Sequence, residues 1–163
     1  MFHLLTPDCR VKRVEELTLE RLRSWGLRAL LLDVDCTLTR YREPTVPAAV
    51  ADWMKTLQAG GVSLCLVSNG LEPRIREFAA RLDLPYVARA MKPLGRGVRA
   101  AMRKLDAKSA ETAMVGDQLF ADVLAGRMAG LRTILVEPIH PEEEPWFTRL
   151  KRPPERFFLR RWR

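Results

Sequence analysis

The chain lacks the features that would place it among disulfide-stapled, membrane-spanning or repeat proteins. Its three cysteines, Cys9, Cys36 and Cys65, are odd in number, scattered and without Cys-x-x-Cys spacing. That excludes a disulfide framework, argues against a zinc site and fits a reducing compartment. No run of about twenty apolar residues occurs, the length a helix needs to cross a bilayer. The opening Met1-Phe2-His3-Leu4-Leu5-Thr6-Pro7-Asp8 is too short and too interrupted for a signal peptide, so a cytoplasmic location is expected. There is no internal repeat and no low-complexity tract. Even the formal charge of +8 is not spread over the molecule. Arg149 to Arg163 holds seven basic residues against the single acid Glu155, which leaves +2 for the first 148 residues. So neutral a body does not indicate a general nucleic-acid-binding surface.

What is present is one domain's worth of chain, 163 residues with 47% hydrophobic content, enough to bury a core without staples. From Arg28 onward, short apolar runs alternate with amphipathic segments of about ten to fifteen residues, the pattern of βαβ units. Strands are expected at Ala29 to Leu32, Ser63 to Val67, Tyr86 to Ala90, Thr112 to Val115 and Thr133 to Val136. Helices are expected at Pro47 to Gln58, Glu72 to Leu82, Gly95 to Leu105 and Leu119 to Ala129, with a shorter one from Val14 to Trp25. The fold class is therefore α/β, a doubly wound three-layer sandwich around a five-stranded parallel sheet. Residues 1–137 form the expected domain, helical lead-in included, and the proline-rich residues 138–163 an irregular basic and aromatic C-terminal arm.

The chemistry lies at the strand ends. Leu30-Leu31-Leu32 runs straight into Asp33-Val34-Asp35-Cys36-Thr37, and acids at the end of a buried strand are costly unless something pairs with them. Strand C-termini of an open parallel sheet face the ligand crevice. Ser68-Asn69-Gly70 follows the second strand, Lys92-Pro93 the third, and Gly116-Asp117-Gln118 the fourth, with Asp122 about a helical turn later. Acids, a hydroxyl and a lysine thus converge on one edge of the sheet. Each alone has an ordinary structural explanation as a cap or a solvated charge; the order and spacing of the set make it informative.

That ordered set, Asp-x-Asp-x-Thr, Ser-Asn, Lys-Pro and Gly-Asp-x-x-x-x-Asp, resembles the four motifs of the haloacid dehalogenase (HAD) phosphohydrolase superfamily over roughly Ala29 to Val136. The segments Ala90-Met91-Lys92-Pro93 and Gly116-Asp117-Gln118-Leu119-Phe120 look like the YqeG branch of its subfamily IIIA, which is similar to the mitochondrial phosphatidylglycerophosphate phosphatase. The resemblance implies a Rossmann-like fold and a Mg²⁺-dependent phosphatase working through an aspartyl-phosphate. Asp33 is then the nucleophile and Asp35 the acid and base. Asp33, Asp117 and the main-chain carbonyl of Asp35 are the metal ligands, with Asp122 orienting them from behind. Ser68, Asn69 and Lys92 receive the phosphate, and Thr37, grouped with them, fixes the loop. One departure is Cys36, where this branch commonly has Asn; tuning of the loop without loss of activity is expected.

No cap domain fits between Thr37 and Ser68 or between Ser68 and Lys92, so a capless, open site is expected. Such a site needs a bulky substrate or a partner surface to exclude water. Arg156-Phe157-Phe158-Leu159-Arg160-Arg161-Trp162-Arg163 interleaves arginines with aromatics, a composition suited to an anionic membrane interface. The same run also fits an arm packed on the core or, third, a nucleic-acid contact. The leading expectation is hydrolysis of a phospholipid monoester, phosphatidylglycerophosphate, by an enzyme peripheral on the inner membrane face. The alternatives are a soluble sugar-phosphate or nucleotide phosphatase, a phospho-acceptor receiver module, and a nucleic-acid-binding protein. A receiver usually carries its acceptor after the third strand, where this chain has Ala90-Met91-Lys92. The sequence does not fix an oligomeric state.

Overall fold

The computed structural model describes residues 2–160. Six parallel strands form one sheet: β1 (Cys9–Val11), β2 (Ala29–Leu32), β3 (Ser63–Val67), β4 (Tyr86–Val87), β5 (Thr112–Gly116) and β6 (Arg132–Val136). Their order is β1-β6-β5-β2-β3-β4. The sixth strand was not expected. β1 is three residues long with a charge at its centre, too little pattern to recognise, and it adds to the sheet edge with Cys9 opposite Ile134. The chain winds outward from β2 in both directions, through β3 to β4 on one side and through β5 to β6 on the other. The crevice at this reversal opens beyond the ends of β2 and β5.

Alternation along β2 builds the three layers. Leu30 and Leu32 face a core closed by α1 (Leu19–Ser24), α2 (Ala48–Ala59) and α3 (Glu72–Leu82), through Leu22, Trp53, Leu57 and Phe78. Leu31 faces the opposite core, with Val98 and Ala101 of α4 (Arg96–Leu105) and Ala125 of α5 (Leu124–Met128). The period of two in the strand thus selects a helix layer for each residue.

Two expected elements take a different form. The lead-in from Val14 to Trp25 is a 3₁₀ turn (Val14–Glu16) followed by α1, because the Thr18 hydroxyl accepts the Arg21 N–H and starts a new helix. The helix expected from Leu119 opens as a π-helical turn, Leu119–Val123, before α5. The C-terminal arm, expected to be irregular, holds a 3₁₀ turn (Pro141–Glu143), α6 (Trp146–Arg149) and α7 (Arg152–Arg160). Phe158 and Leu159 pack against Leu119, Val123 and Leu135. Arg161, Trp162 and Arg163 lie outside the described residues.

Candidate active site

Asp33 stands one residue beyond β2, and its main-chain N–H donates to Val115 O of β5 (2.9 Å), so the strand pairing itself aims it at the crevice. Its carboxylate is divided between two donors. Lys92 Nζ lies 2.5 Å from Oδ1, and the Thr37 hydroxyl 3.2 Å from Oδ2. The Lys92 ammonium uses all three protons, on Asp33, on Asp122 Oδ1 (2.7 Å) and on the Val67 carbonyl (2.8 Å). The Thr37 hydroxyl also approaches Asp117 Oδ1 at 3.0 Å, which links the ends of β2 and β5. Thr37 therefore ties the two acids together and is not part of the cavity wall.

Asp122 reaches Lys92 because Gly116 leaves it room. A Cβ on Gly116 would fall 2.2 Å from Asp122 Cγ. The other Asp122 oxygen accepts the Gln118 N–H at 3.0 Å, so the carboxylate closes its own turn. The Asn69 side chain has a structural task that leaves its main-chain N–H out of it. It accepts from Lys92 N (2.8 Å) and donates to Lys92 O (3.2 Å), stapling the lysine's loop to the end of β3. The Ser68 hydroxyl accepts the Gly70 N–H at 3.0 Å and keeps its proton for another acceptor.

Asp35 lies on the cavity wall with Asp33, Ser68, Asn69 and Lys92. Arg74 of α3 grips both of its oxygens, at 2.9 and 2.5 Å, and the Arg42 N–H donates to Oδ1 at 2.8 Å. Neither arginine was singled out in the sequence. Arg74 is one of many charges on a helix, and only the tertiary fold brings it to Asp35, 39 positions away. The cavity is about 630 Å³ and open to solvent, with no inserted domain between β2 and β3 or between β3 and β4.

Arg152, counted above as tail charge, is buried against Asp117. It contacts the Asp117 carboxylate and main-chain carbonyl, both oxygens of Glu144, and Glu155. Cys36 sits behind the same cluster with φ +63°. That is the left-handed region, where Asn is favoured among side-chain-bearing residues.

Asp117 and Asp122 do not line this cavity; Asp117 lines a neighbouring one with Arg152 and Glu155, and the ground behind Asp33 is buried, undercompensated acid. Five carboxylates, Asp33, Asp117, Asp122, Glu144 and Glu155, are buried with two cations, Lys92 and Arg152. Burial drives the Asp33 carboxyl well above its ordinary range, against the pull of Lys92. It pushes Asp117 up to about 6 despite Arg152, and Glu155 up to about 7 despite the Phe120 N–H and Arg152. Burial alone would lower Lys92, but Asp122 and Asp33 outweigh it and the ammonium is held more tightly than usual. Asp33, Asp117 and Asp122 offer oxygens within 4.8 Å of one another. An oxygen-only set with excess negative charge suits a hard divalent cation.

The parallel α/β sheet gathers these acids and Lys92 at its switch point, where doubly wound proteins bind their ligands. The chain belongs to the haloacid dehalogenase-like hydrolases, whose family model matches residues 11–130, and it is a phosphatase. It is 32% identical to the probable phosphatase YqeG of Bacillus subtilis over 94% of this chain and 88% of that protein. It is 30% identical to the chloroplastic phosphatidylglycerophosphate phosphatase 1 of Chlamydomonas reinhardtii, covering 98% of this chain but only 61% of the algal protein. Among solved structures, the cobalt-bound deoxy-D-mannose-octulosonate 8-phosphate phosphatase of Haemophilus influenzae shares the fold, with a TM-score of 0.56 at 16% identity over 77% of this chain and 75% of that one.

Proposed function

We propose that this phosphatase hydrolyses a phosphomonoester through an aspartyl-phosphate on Asp33. The observation that carries the reading is the placement of Asp33, on the floor of an open cavity, one carboxylate oxygen on Lys92 and the other on Thr37. The Asp33 carboxylate attacks phosphorus, the ester bond to the leaving oxygen breaks, and Asp35 gives that oxygen its proton. Asp35 then takes a proton from water, whose oxygen attacks phosphorus and releases phosphate and free Asp33. The Ser68 hydroxyl and the main-chain amide of Asn69 receive the phosphoryl oxygens, and Lys92 offsets their charge beside Asp33. Asp33 and Asp117, with the carbonyl of Asp35, hold Mg²⁺, and Asp122 steadies the set from behind. When bound, the ion offsets the charge gathered on the phosphoryl oxygens.

The substrate we propose is phosphatidylglycerophosphate at an anionic membrane surface. The algal relative supports the headgroup. The surface is supported by an apolar lip on α6 and the residue that caps it, where Trp146 is 71%, Phe147 55% and Leu150 64% exposed. Phe147 lines the cavity, and Arg149 and Lys151 flank the lip. Among the described residues, no helix is long and apolar enough to cross a membrane. In the described part of the Arg156 run, by contrast, Phe158 and Leu159 are partly buried against Leu119, Val123 and Leu135. A second reading, a soluble nucleotide phosphatase, has one observation in its favour. A stretch of 39 residues is 59% identical to the ribonucleotide monophosphatase NagD of Escherichia coli, 24% of this chain and 16% of that one.

A panel of phosphomonoesters with Mg²⁺ or EDTA separates the readings. Micellar phosphatidylglycerophosphate is expected to be the preferred substrate and EDTA to abolish turnover. The lip variant Trp146→Ser with Leu150→Ser, both outside the cavity wall, is expected to lower activity on the lipid and leave that on glycerol phosphate. Preference for a nucleoside monophosphate, with equal activity of wild type and lip variant on the lipid, overturns the membrane reading.

A further inference from the structure

We propose that Arg152 is a positioning residue for Asp117, so that the C-terminal arm is a working part of the active centre. The inference rests on the reading of Asp117 as a metal ligand.

Arg152 is the first residue of α7 and is 8% exposed. Its guanidinium donates to the Asp117 carbonyl from Nη1 at 2.8 Å and to Asp117 Oδ2 from Nη2. Two bonds from one rigid plane to the main chain and the carboxylate of a single residue fix that side chain's torsion, which a lone charge cannot do. With Oδ2 held from behind, Oδ1 is presented toward Thr37 and Asp33. The plane is itself braced. Glu144 takes Nε and Nη2 at 2.9 and 2.8 Å, and Glu155 lies 3.5 Å from Nη1.

Glu155 extends the device. Its other oxygen accepts the Phe120 N–H at 3.0 Å, in the π-helical turn that carries Asp122. One turn of α7 therefore anchors the end of β5 through Arg152 and the Asp122 turn through Glu155. The arm's sequence hides this, because an arginine beside Pro153-Pro154 in a basic tail looks like one more solvated charge.

The experiment compares Arg152→Ala, Arg152→Lys and Asp117→Asn in the full chain. The readouts are Mn²⁺ binding followed by electron paramagnetic resonance, kcat and KM on a soluble phosphomonoester with Mg²⁺, and thermal unfolding. Loss of a group that orients a metal ligand is expected to weaken Mn²⁺ binding by about 10–100-fold. kcat at limiting Mg²⁺ should fall alongside, with KM little changed. Arg152→Lys keeps the charge but not the fork and is expected to behave like Arg152→Ala. Guanidinium ion added to Arg152→Ala is expected to restore part of the binding, whereas the same concentration of ammonium is not. If Arg152→Ala is folded and binds Mn²⁺ as the wild type does while Asp117→Asn does not, the positioning role is wrong and the metal reading stands. If Asp117→Asn also binds normally, the metal reading itself fails. If Arg152→Ala does not fold, Arg152→Lys decides: wild-type binding and kcat there overturn the proposal.

Discussion

Asp33 and Asp117 stand at the ends of neighbouring parallel strands and share one hydroxyl, that of Thr37, 3.2 Å from the first carboxylate and 3.0 Å from the second. A single proton serves both, so the bridge holds the acids in register while leaving them short of donors. Thr37→Val keeps the side chain's shape and removes the bridge. The expected result is a folded protein whose kcat falls by about 10–100-fold, the usual cost of losing an orienting group behind a metal site. Steady-state kinetics with circular dichroism as the folding control checks it, and unchanged kcat would show the bridge to be dispensable.

Asp35 is held by Arg74 and the Arg42 amide, and its Oδ2, which accepts from Arg74 alone, keeps a lone pair through which a proton can pass to the leaving group. Asp35→Asn removes the proton carrier and is expected to slow hydrolysis of glycerol phosphate far more than that of an aryl phosphate, whose leaving group departs without help. The ratio of the two rates is the measurement. Equal losses would show that Asp35 is not the acid that protonates the leaving group.

The buried acids give the metal-free protein a pH dependence of definite sign. Glu155 rises from 4.5 to about 7 and Asp117 from 3.8 to about 6 on folding. Between the unfolded and folded values the native state binds more protons than the unfolded one, so stability is greatest below about pH 4 for these groups and falls as pH rises toward 7. In EDTA, thermal unfolding is expected to shift downward between pH 5 and 7.5. Added Mg²⁺, which binds the ionised native site, is expected to raise the midpoint more at pH 7.5 than at pH 5. A midpoint that climbs with pH in EDTA contradicts this.

What the sequence discloses depends on whether the information is local. β2, β3, β5 and β6 are apolar runs bounded by turns, and the residues just beyond β2, β3 and β5 announce themselves because polar groups follow buried strands. Asp33, Lys92, Asp117 and Asp122 are brought together as their spacing implied. β1 is legible only through its partner β6, and Arg74 and Arg152 only through the acids they meet 39 and 35 positions away. Asn69 was legible as a site residue but not as a staple, since its role is set by the backbone of a distant loop. The arm reads as irregular because prolines at 153 and 154 suggest it, yet they fall in the first turn of α7, where proline is tolerated.

Two glycine-related positions test the backbone account of the site. Gly116→Ala places a methyl against the Asp122 carboxylate, 2.2 Å from Cγ. It is expected to destabilise the protein by about 1–3 kcal/mol and to lower activity by displacing Asp122 from Lys92. Cys36→Asn suits φ +63° and is expected to be folded and active, whereas Cys36→Val, branched at Cβ, is expected to be destabilised. Chemical denaturation ranks the three variants; a Cys36→Val protein as stable as Cys36→Asn would show that this backbone conformation is not maintained.

The most direct test of Asp33 as nucleophile is an acid quench of the enzyme during turnover of a substrate labelled with ³²P in the phosphoryl group. The expected result is a hydroxylamine-sensitive label on the peptide containing Asp33. With an aryl phosphate as the labelled substrate it should accumulate in Asp35→Asn, where water attack is slowed but the leaving group needs no acid, and it should be absent from folded Asp33→Asn, which should release no phosphate. A folded Asp33→Asn protein that turns over at the wild-type rate, or label that maps to another residue, would contradict the mechanism.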